Sequence, residues 1–195
     1  PFGVTFNIEV DSELVKNLDP DVVVLAIGSE PCLPSIEGIE NAINAEDAFQ
    51  EEDLGDNIII IGGGGTGCDF AIHLASEGKS VIILEKLNKI ATNEPIISTM
   101  GIQHKLKELD VTVHTNVNVT KISEKSVEYV NSDELEESIT GDSVISAVGR
   151  VPKVNEELLT KAKEVARDVY IIGDAKEPRK ILHAISEGFW TGMRI

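Results

Sequence analysis

Residues 58–71 read IIIIGGGGTGCDFA: four β-branched apolar residues run straight into four glycines, and a helix-length segment follows. Branched residues at all four positions after Asn57 in Asn57–Ile61 predict a parallel strand buried on both faces, with helices as the usual cover. Gly62, Gly64 and Gly67 give G-x-G-x-x-G directly after that strand and directly before a helix predicted over Thr66–Glu77, with Gly78 as its stop. In that setting each missing side chain has a use. The first glycine permits the tight turn, the second lets backbone approach a pyrophosphate, and the third lets helix pack closely on strand. Gly65 lies between them, and the helix amino end presents unpaired N–H groups to phosphate. Ser80–Leu84 is the next strand, which completes a βαβ unit. At its tip stands Glu85, where an acid is expected to bind ribose hydroxyls. These residues predict a dinucleotide site.

Glu85 also bears on which dinucleotide. A carboxylate beside a 2′-phosphate is repelled by about 4 kcal/mol per pair of unit charges at about 4 Å in a surface-like dielectric. NADH is favoured over NADPH. Lys86 has two readings: a solvated surface lysine, or a cation able to accept that phosphate if Glu85 turns away. Asp69 also has two: a first-turn acid that complements the helix dipole, or a contact near the nicotinamide.

Composition sets the outer limits. The 195 residues carry 34 acidic and 17 basic side chains, a formal charge of −17, with 42% hydrophobic residues. That balance opposes attraction to nucleic acid or anionic membrane, so an anionic ligand must be held locally. No apolar run approaches the roughly 20 residues of a spanning helix, and a cytoplasmic location is expected. Cys32 and Cys68 lie far apart without a CxxC and read as small buried hydrophobes rather than a redox pair or metal site. The chain opens on PFGVTFNIEV, a strand-like pattern without an initiator Met, and is expected to be a piece of something longer.

Elsewhere, periodicity predicts a short strand over Val4–Ile8, helical turns over Ser12–Leu18, and a buried strand over Asp21–Ile27 ending at Gly28. A short helix is expected over Asn44–Glu52 and a longer one over Ile97–Leu109. Val111–His114 is a strand, and Val117–Ile122, Ser126–Val130 and Glu134–Ile139 form a meander. Ser143–Val148 and Asp168–Ile172 read as buried strands, and Lys180–Ile195 as an amphipathic helix on Leu182, Ile185, Phe189 and Met193. The fold class is α/β: a Rossmann-like parallel sheet with helices on both faces and a β-meander.

Three further stretches fit one pattern. VVVLAIGSEPCLP, with Gly28, and VISAVGRVPKVN, with Gly149, resemble the two glycine segments that link the FAD and NAD domains of two-dinucleotide-binding flavoproteins. VYIIGDAKEPRKILHAISEG, with Gly173 and Asp174, resembles their G-D segment, whose aspartate hydrogen-bonds the FAD ribityl chain ahead of a helix pointing at the flavin ring. The GDAxEPRKIxxAIxEG form is similar to the carboxyl-terminal region of the NADH oxidase, 2,4-dienoyl-CoA reductase and 2-enoate reductase family, and the resemblance covers nearly the whole chain. It implies an NAD domain, residues 47–141, inserted between two remnants of an FAD domain, 1–46 and 142–195. The strands at Val22–Ile27 and Val169–Ile172 both read as fully buried and are therefore expected to pair in parallel. By position, Asp69 matches the family acid near the nicotinamide carboxamide. His183 and Trp190 gain no specific role.

The resemblance implies hydride transfer between NADH and FAD in a parent enzyme. FMN and an iron–sulfur cluster belong to family domains that have no counterpart here, and those flavin and barrel domains are the implied partners. The glycine motif that would hold the ADP half of FAD is also without a counterpart, so FAD is not expected to stay bound. The chemistry is the cofactors' own, no catalytic residue is named, and the chain alone is expected to be inactive. Two other readings stay open: a nucleotide-binding module without turnover, and an electron-transfer docking domain using its acidic surface.

Overall fold

The computed structural model describes residues 3–51, 53–153 and 155–195. In chain order the elements are α1 (Ser12–Leu18), β1 (Val22–Leu25), β2 (Ser29–Pro31), β3 (Ile43–Asn44), α2 (Ala45–Ala48), β4 (Asn57–Ile61), α3 (Gly65–Ser76), β5 (Ser80–Glu85) and α4 (Ile96–Glu108). There follow β6 (Thr112–Thr115), β7 (Asn118–Ser123), β8 (Ser126–Val130), β9 (Glu136–Thr140), β10 (Ser143–Ser146), β11 (Arg150–Pro152), α5 (Glu156–Val165), β12 (Asp168–Ile171) and α6 (Ile181–Gly192). They divide into two units, residues 31–149 and residues 1–30 with 150–195.

In the 31–149 unit, a parallel sheet runs in the order β3-β10-β4-β5-β6. The all-isoleucine strand makes sense once its two faces are separated, because side chains alternate across a strand. Ile58 and Ile60 pack with Phe70, Ala71 and Leu74 of α3 and Leu106 of α4. Ile59 and Ile61 face the other way, onto Val117, Ile122, Val127 and Tyr129. All four isoleucines are between 0% and 4% exposed, and each fully buried side chain contributes roughly 1.5–3 kcal/mol. Helices cover one face as expected. The other is covered by the antiparallel sheet β7-β8-β9, which corrects the expectation of helices on both faces. The sheet is held at its lower end by Asp142, whose Oδ2 accepts from the amides of Asp56 (3.1 Å) and Asn57 (2.9 Å) and from Asn57 Nδ2 (3.0 Å).

In the other unit, β1 and β12 pair in parallel from Val22↔Asp168 to Leu25↔Ile171, as expected. α1 and α5 cover one side, where Val15, Leu25, Leu158 and Ala162 form a small core. The two strands are only half-buried, against the sequence expectation. Val24 and Ile171, which are 40% and 37% exposed, lack a second covering layer among the described residues. Helix α5 has no counterpart in the sequence reading. Its signals were local: Asn155 accepts from the Leu158 amide as a cap, and Glu156 and Glu157 fill the first turn.

Three further expectations are corrected here. Val4–Ile8 forms no strand, because its alternating apolar residues meet no partner strand among the described residues. The Asn44–Glu52 helix reduces to the single turn α2 capped by Asn44, and Glu52 lies outside the described residues. The last helix stops at Gly192, and its apolar stripe points away from its own unit: Leu182, Ile185, Phe189 and Met193 are 59–73% exposed. The inward side is built instead from small residues, with Ala184 against Gly173 and Thr191 buried.

Candidate functional site

The glycine turn joins β4 to α3, and its glycines serve different ends. Gly62 has φ +105°, and a β-carbon there would lie 2.5 Å from the Ala147 carbonyl oxygen. At Gly67 a β-carbon would lie 2.0 Å from the Gly62 carbonyl oxygen, so helix and turn touch backbone to backbone. Gly64 differs. It is the N-cap of α3 in extended backbone, exposed, and a β-carbon there would meet nothing within 4 Å. First and third glycines are thus demanded by packing, while the second leaves bare backbone facing open space. The first-turn amides of α3 lack intrahelical acceptors and lie at this opening.

Gly63, which falls between motif positions, is also constrained: a β-carbon there would lie 2.6 Å from Ile90 Cγ2 and 3.2 Å from Glu85 Oε2. Glu85 ends β5 and is 8% exposed. Its Oε2 accepts from the Gly63 amide at 2.6 Å and its Oε1 from the Leu87 amide at 2.6 Å. A carboxylate has about four lone-pair sites, so two remain. Below the turn, Cys68 is buried and its Sγ donates to the Gly63 carbonyl at 3.3 Å. Burial first, then the charges of Asp69 and Glu85, push the thiol up to about 12. Asp69 and Lys86 are both exposed. Cys32 is only half-buried, which corrects its reading as a core residue.

A segment that sequence reasoning passed over closes on this turn. After β5 the chain doubles back so that the Ala91 amide donates to the Gly63 carbonyl at 2.7 Å, with Ala91 in the left-handed region at φ +51°. The Thr99 hydroxyl then reaches the carbonyls of Ala91 (3.1 Å), Pro95 (3.3 Å) and Glu94 (3.4 Å). This pinning sets Glu94 over the start of α3, where its Oε1 lies 3.1 Å from the place a Gly65 β-carbon would take.

Gly28, Gly173 and Asp174 come together in the other unit, lining a cavity of about 350 Å³ with Ala26, Ile172 and Arg179. Gly28 has φ +79° and its carbonyl accepts from the Lys153 amide. Asp174 accepts from Ser29 Oγ at 3.1 Å and from the Arg179 amide at 3.3 Å. Arg150 braces Ser29 through Nε to Oγ at 2.7 Å and Nη2 to its carbonyl at 2.5 Å. Glu187 of α6 accepts from the Gly173 amide at 2.8 Å and pairs with Arg179; these bonds hold its carboxyl below the usual glutamate range. Arg150 and Glu187 both lie within the stretches quoted for the resemblance, but no role was read for either, since their partners are brought near only by the fold. Gly149 belongs to the 31–149 unit, with φ +100° and its carbonyl accepting from the Cys32 amide at 2.9 Å.

The chain matches known proteins over nearly its whole length. The model of the pyridine nucleotide-disulphide oxidoreductase family matches residues 5–188. NADH oxidase of Thermoanaerobacter brockii is 33% identical over 98% of this chain and 30% of its own length. Cinnamate reductase of Clostridium sporogenes is 30% identical over 98% of this chain and 29% of its own. Among solved structures, a 2-naphthoyl-CoA reductase in complex with 2-naphthoyl-CoA superposes with a TM-score of 0.85 at 30% identity, covering 97% of this chain and 29% of that one. The chain therefore spans about three-tenths of the length of these relatives.

Proposed function

The chain belongs to the pyridine nucleotide-disulphide oxidoreductase family, and on that premise we propose that it is the NAD(H)-binding part of a flavin-dependent oxidoreductase. In this reading NADH, when bound, supplies a hydride that FAD accepts in the parent enzyme. The observation that carries the proposal is Gly64: bare and open, between two glycines that packing forbids to carry a side chain. The pyrophosphate would lie on that backbone against the first-turn amides of α3. Gly62 and Gly67 fix the turn, Gly65 opens the helix, and the two unused lone-pair sites of Glu85 take the adenosine ribose hydroxyls. The same carboxylate disfavours a 2′-phosphate, so NADH is preferred to NADPH, with exposed Lys86 leaving a residual NADPH affinity. Asp69 orients the carboxamide end.

Gly28, Gly173 and Asp174 fit the flavin side of the proposal. Their cavity is lined by bare backbone and by a carboxylate that Ser29 and Arg179 already aim. Gly149 supplies close backbone approach in the same scheme. Residues 47–141 act as the nucleotide domain and the flanking segments as flavin-domain parts. In this reading FMN and an iron–sulfur cluster, where the parent enzyme uses them, would be held outside these residues. Among the described residues no helix is long and apolar enough to cross a membrane; a cytoplasmic setting is part of the proposal.

Titration of the chain with NADH, NADPH and ADP by calorimetry tests the reading. Binding should be tightest for NADH. Equal affinity for ADP and NADH would reduce the chain to a nucleotide-binding module to which the nicotinamide end adds nothing. Absence of binding by all three would end the proposal. Absorbance spectra before and after added FAD test retention of the flavin, which is expected to be absent in the purified chain.

A further inference from the structure

We propose that the Glu94 carboxylate occupies the amino end of α3 in the ligand-free chain and must leave it before a dinucleotide pyrophosphate can bind, so that Glu94 sets nucleotide affinity. The inference rests on the dinucleotide reading above and adds a competitor to it.

The geometry has three parts. Glu94 Oε1 stands 3.1 Å from where a Gly65 β-carbon would be, so the absent side chain of Gly65 is the space that admits it. The segment carrying Glu94 is tied to the turn itself by the Ala91 amide on the Gly63 carbonyl and is held behind by the Thr99 hydroxyl. Glu94 is half-buried, so the placement is enforced by its surroundings rather than by a freely waving surface chain.

A carboxylate gains from the positive end of a helix for the same reason that phosphate does. The two therefore compete for one set of amides. Because Glu94 is covalently attached, its effective concentration at the turn is high, and every nucleotide must displace it. With Asp69 and Glu85 at the same turn, a displaced Glu94 also remains one of three nearby negative charges.

Glu94→Gln keeps the size and removes the charge; Glu94→Ala removes both. ADP is the probe, because it carries the pyrophosphate without nicotinamide. Relative to the unsubstituted chain, both variants should bind ADP about three- to tenfold more tightly, while the free chain loses thermal stability. Those opposite signs separate competition from ordinary structural support, which would lower both. Glu77→Gln, at the other end of α3, removes one charge from the −17 total and should leave ADP affinity unchanged. If it tightens ADP binding equally, net charge is the cause and the competition is overturned. Unchanged or weaker ADP binding in both Glu94 variants overturns it too, and leaves the dinucleotide reading standing as long as the unsubstituted chain binds. Failure of the unsubstituted chain and both variants to bind ADP or NADH overturns both ideas together.

Discussion

Glu85 is hydrogen-bonded to the very turn it faces, its Oε2 accepting the Gly63 amide at 2.6 Å. The residue read from sequence as a ribose ligand is therefore also a strut between the tip of β5 and the glycine turn. Its other oxygen takes the Leu87 amide. Glu85→Ala leaves both amides without this acceptor in a site that is 8% exposed, and at about 1–3 kcal/mol for a stranded buried group the loss should be roughly 2–4 kcal/mol. Glu85→Gln keeps one accepting oxygen and should lose about half as much. Urea unfolding measures both. In the same variants the NADH preference over NADPH should fall, and an unchanged ratio would remove Glu85 from the choice of sugar.

Cys68 lies under the turn with its thiol pushed up to about 12, by burial and then by Asp69 and Glu85. The thiolate is the reactive form, so a maleimide or disulfide reagent at neutral pH should modify half-buried Cys32 first and Cys68 only on unfolding. One thiol should titrate in the native chain and two in urea. Rapid modification of both in the native state would mean that the turn opens readily.

What could be read from the sequence was whatever short-range geometry dictates. The run of isoleucines, the spacing of Gly62, Gly64 and Gly67, and Glu85 at the next strand tip are all local. Each sits as expected, and β1 and β12 pair as expected. The layer on the second face of the sheet was not legible, since a strand buried on both sides looks the same under helices or under a meander. Helix α5 was legible and was passed over: an Asn cap, two first-turn acids and Leu158 with Ala162 at helical spacing were all in view. Glu94 and Arg150 were not legible. Their positions depend on a loop pinned by Ala91 and Thr99 and on a Ser29 contact across 121 residues of chain.

Tyr129 and Glu137 join two strands of the meander, the hydroxyl donating to Oε2 at 2.6 Å. Burial, then this bond and the nearby charge, push the tyrosine up to about 12. The bond from Tyr129, then one from Asn131, holds Glu137 below the ordinary glutamate value. The signs give a window at each end. Tyr129 ionises later folded than unfolded, so its contribution is complete below about pH 10 and is lost as pH rises from there to about 12. Glu137 contributes above the unfolded glutamate value and loses that contribution as pH falls through its lowered folded one. Glu137→Gln should flatten the acid limb and bring the tyrosine titration, followed by absorbance, toward its ordinary value. An alkaline limb unchanged by that substitution would detach the pair from stability.

The sharpest contrast lies between two glycines three residues apart. At Gly64, with φ −69° and nothing within 4 Å of a β-carbon, alanine strains no backbone and touches no neighbour. Stability should change by less than about 1 kcal/mol. The added methyl nevertheless stands where the pyrophosphate is proposed to lie, so NADH and ADP should both weaken by at least about tenfold, or about 1.4 kcal/mol. At Gly67 the β-carbon would sit 2.0 Å from the Gly62 carbonyl oxygen and 3.3 Å from Ala147 Cβ. Backbone must then move, and the loss should reach about 3 kcal/mol or more. Urea unfolding and calorimetry on the two variants separate a glycine kept for the fold from one kept for a ligand. If Gly64→Ala binds NADH as the unsubstituted chain does, the pyrophosphate does not pass over Gly64.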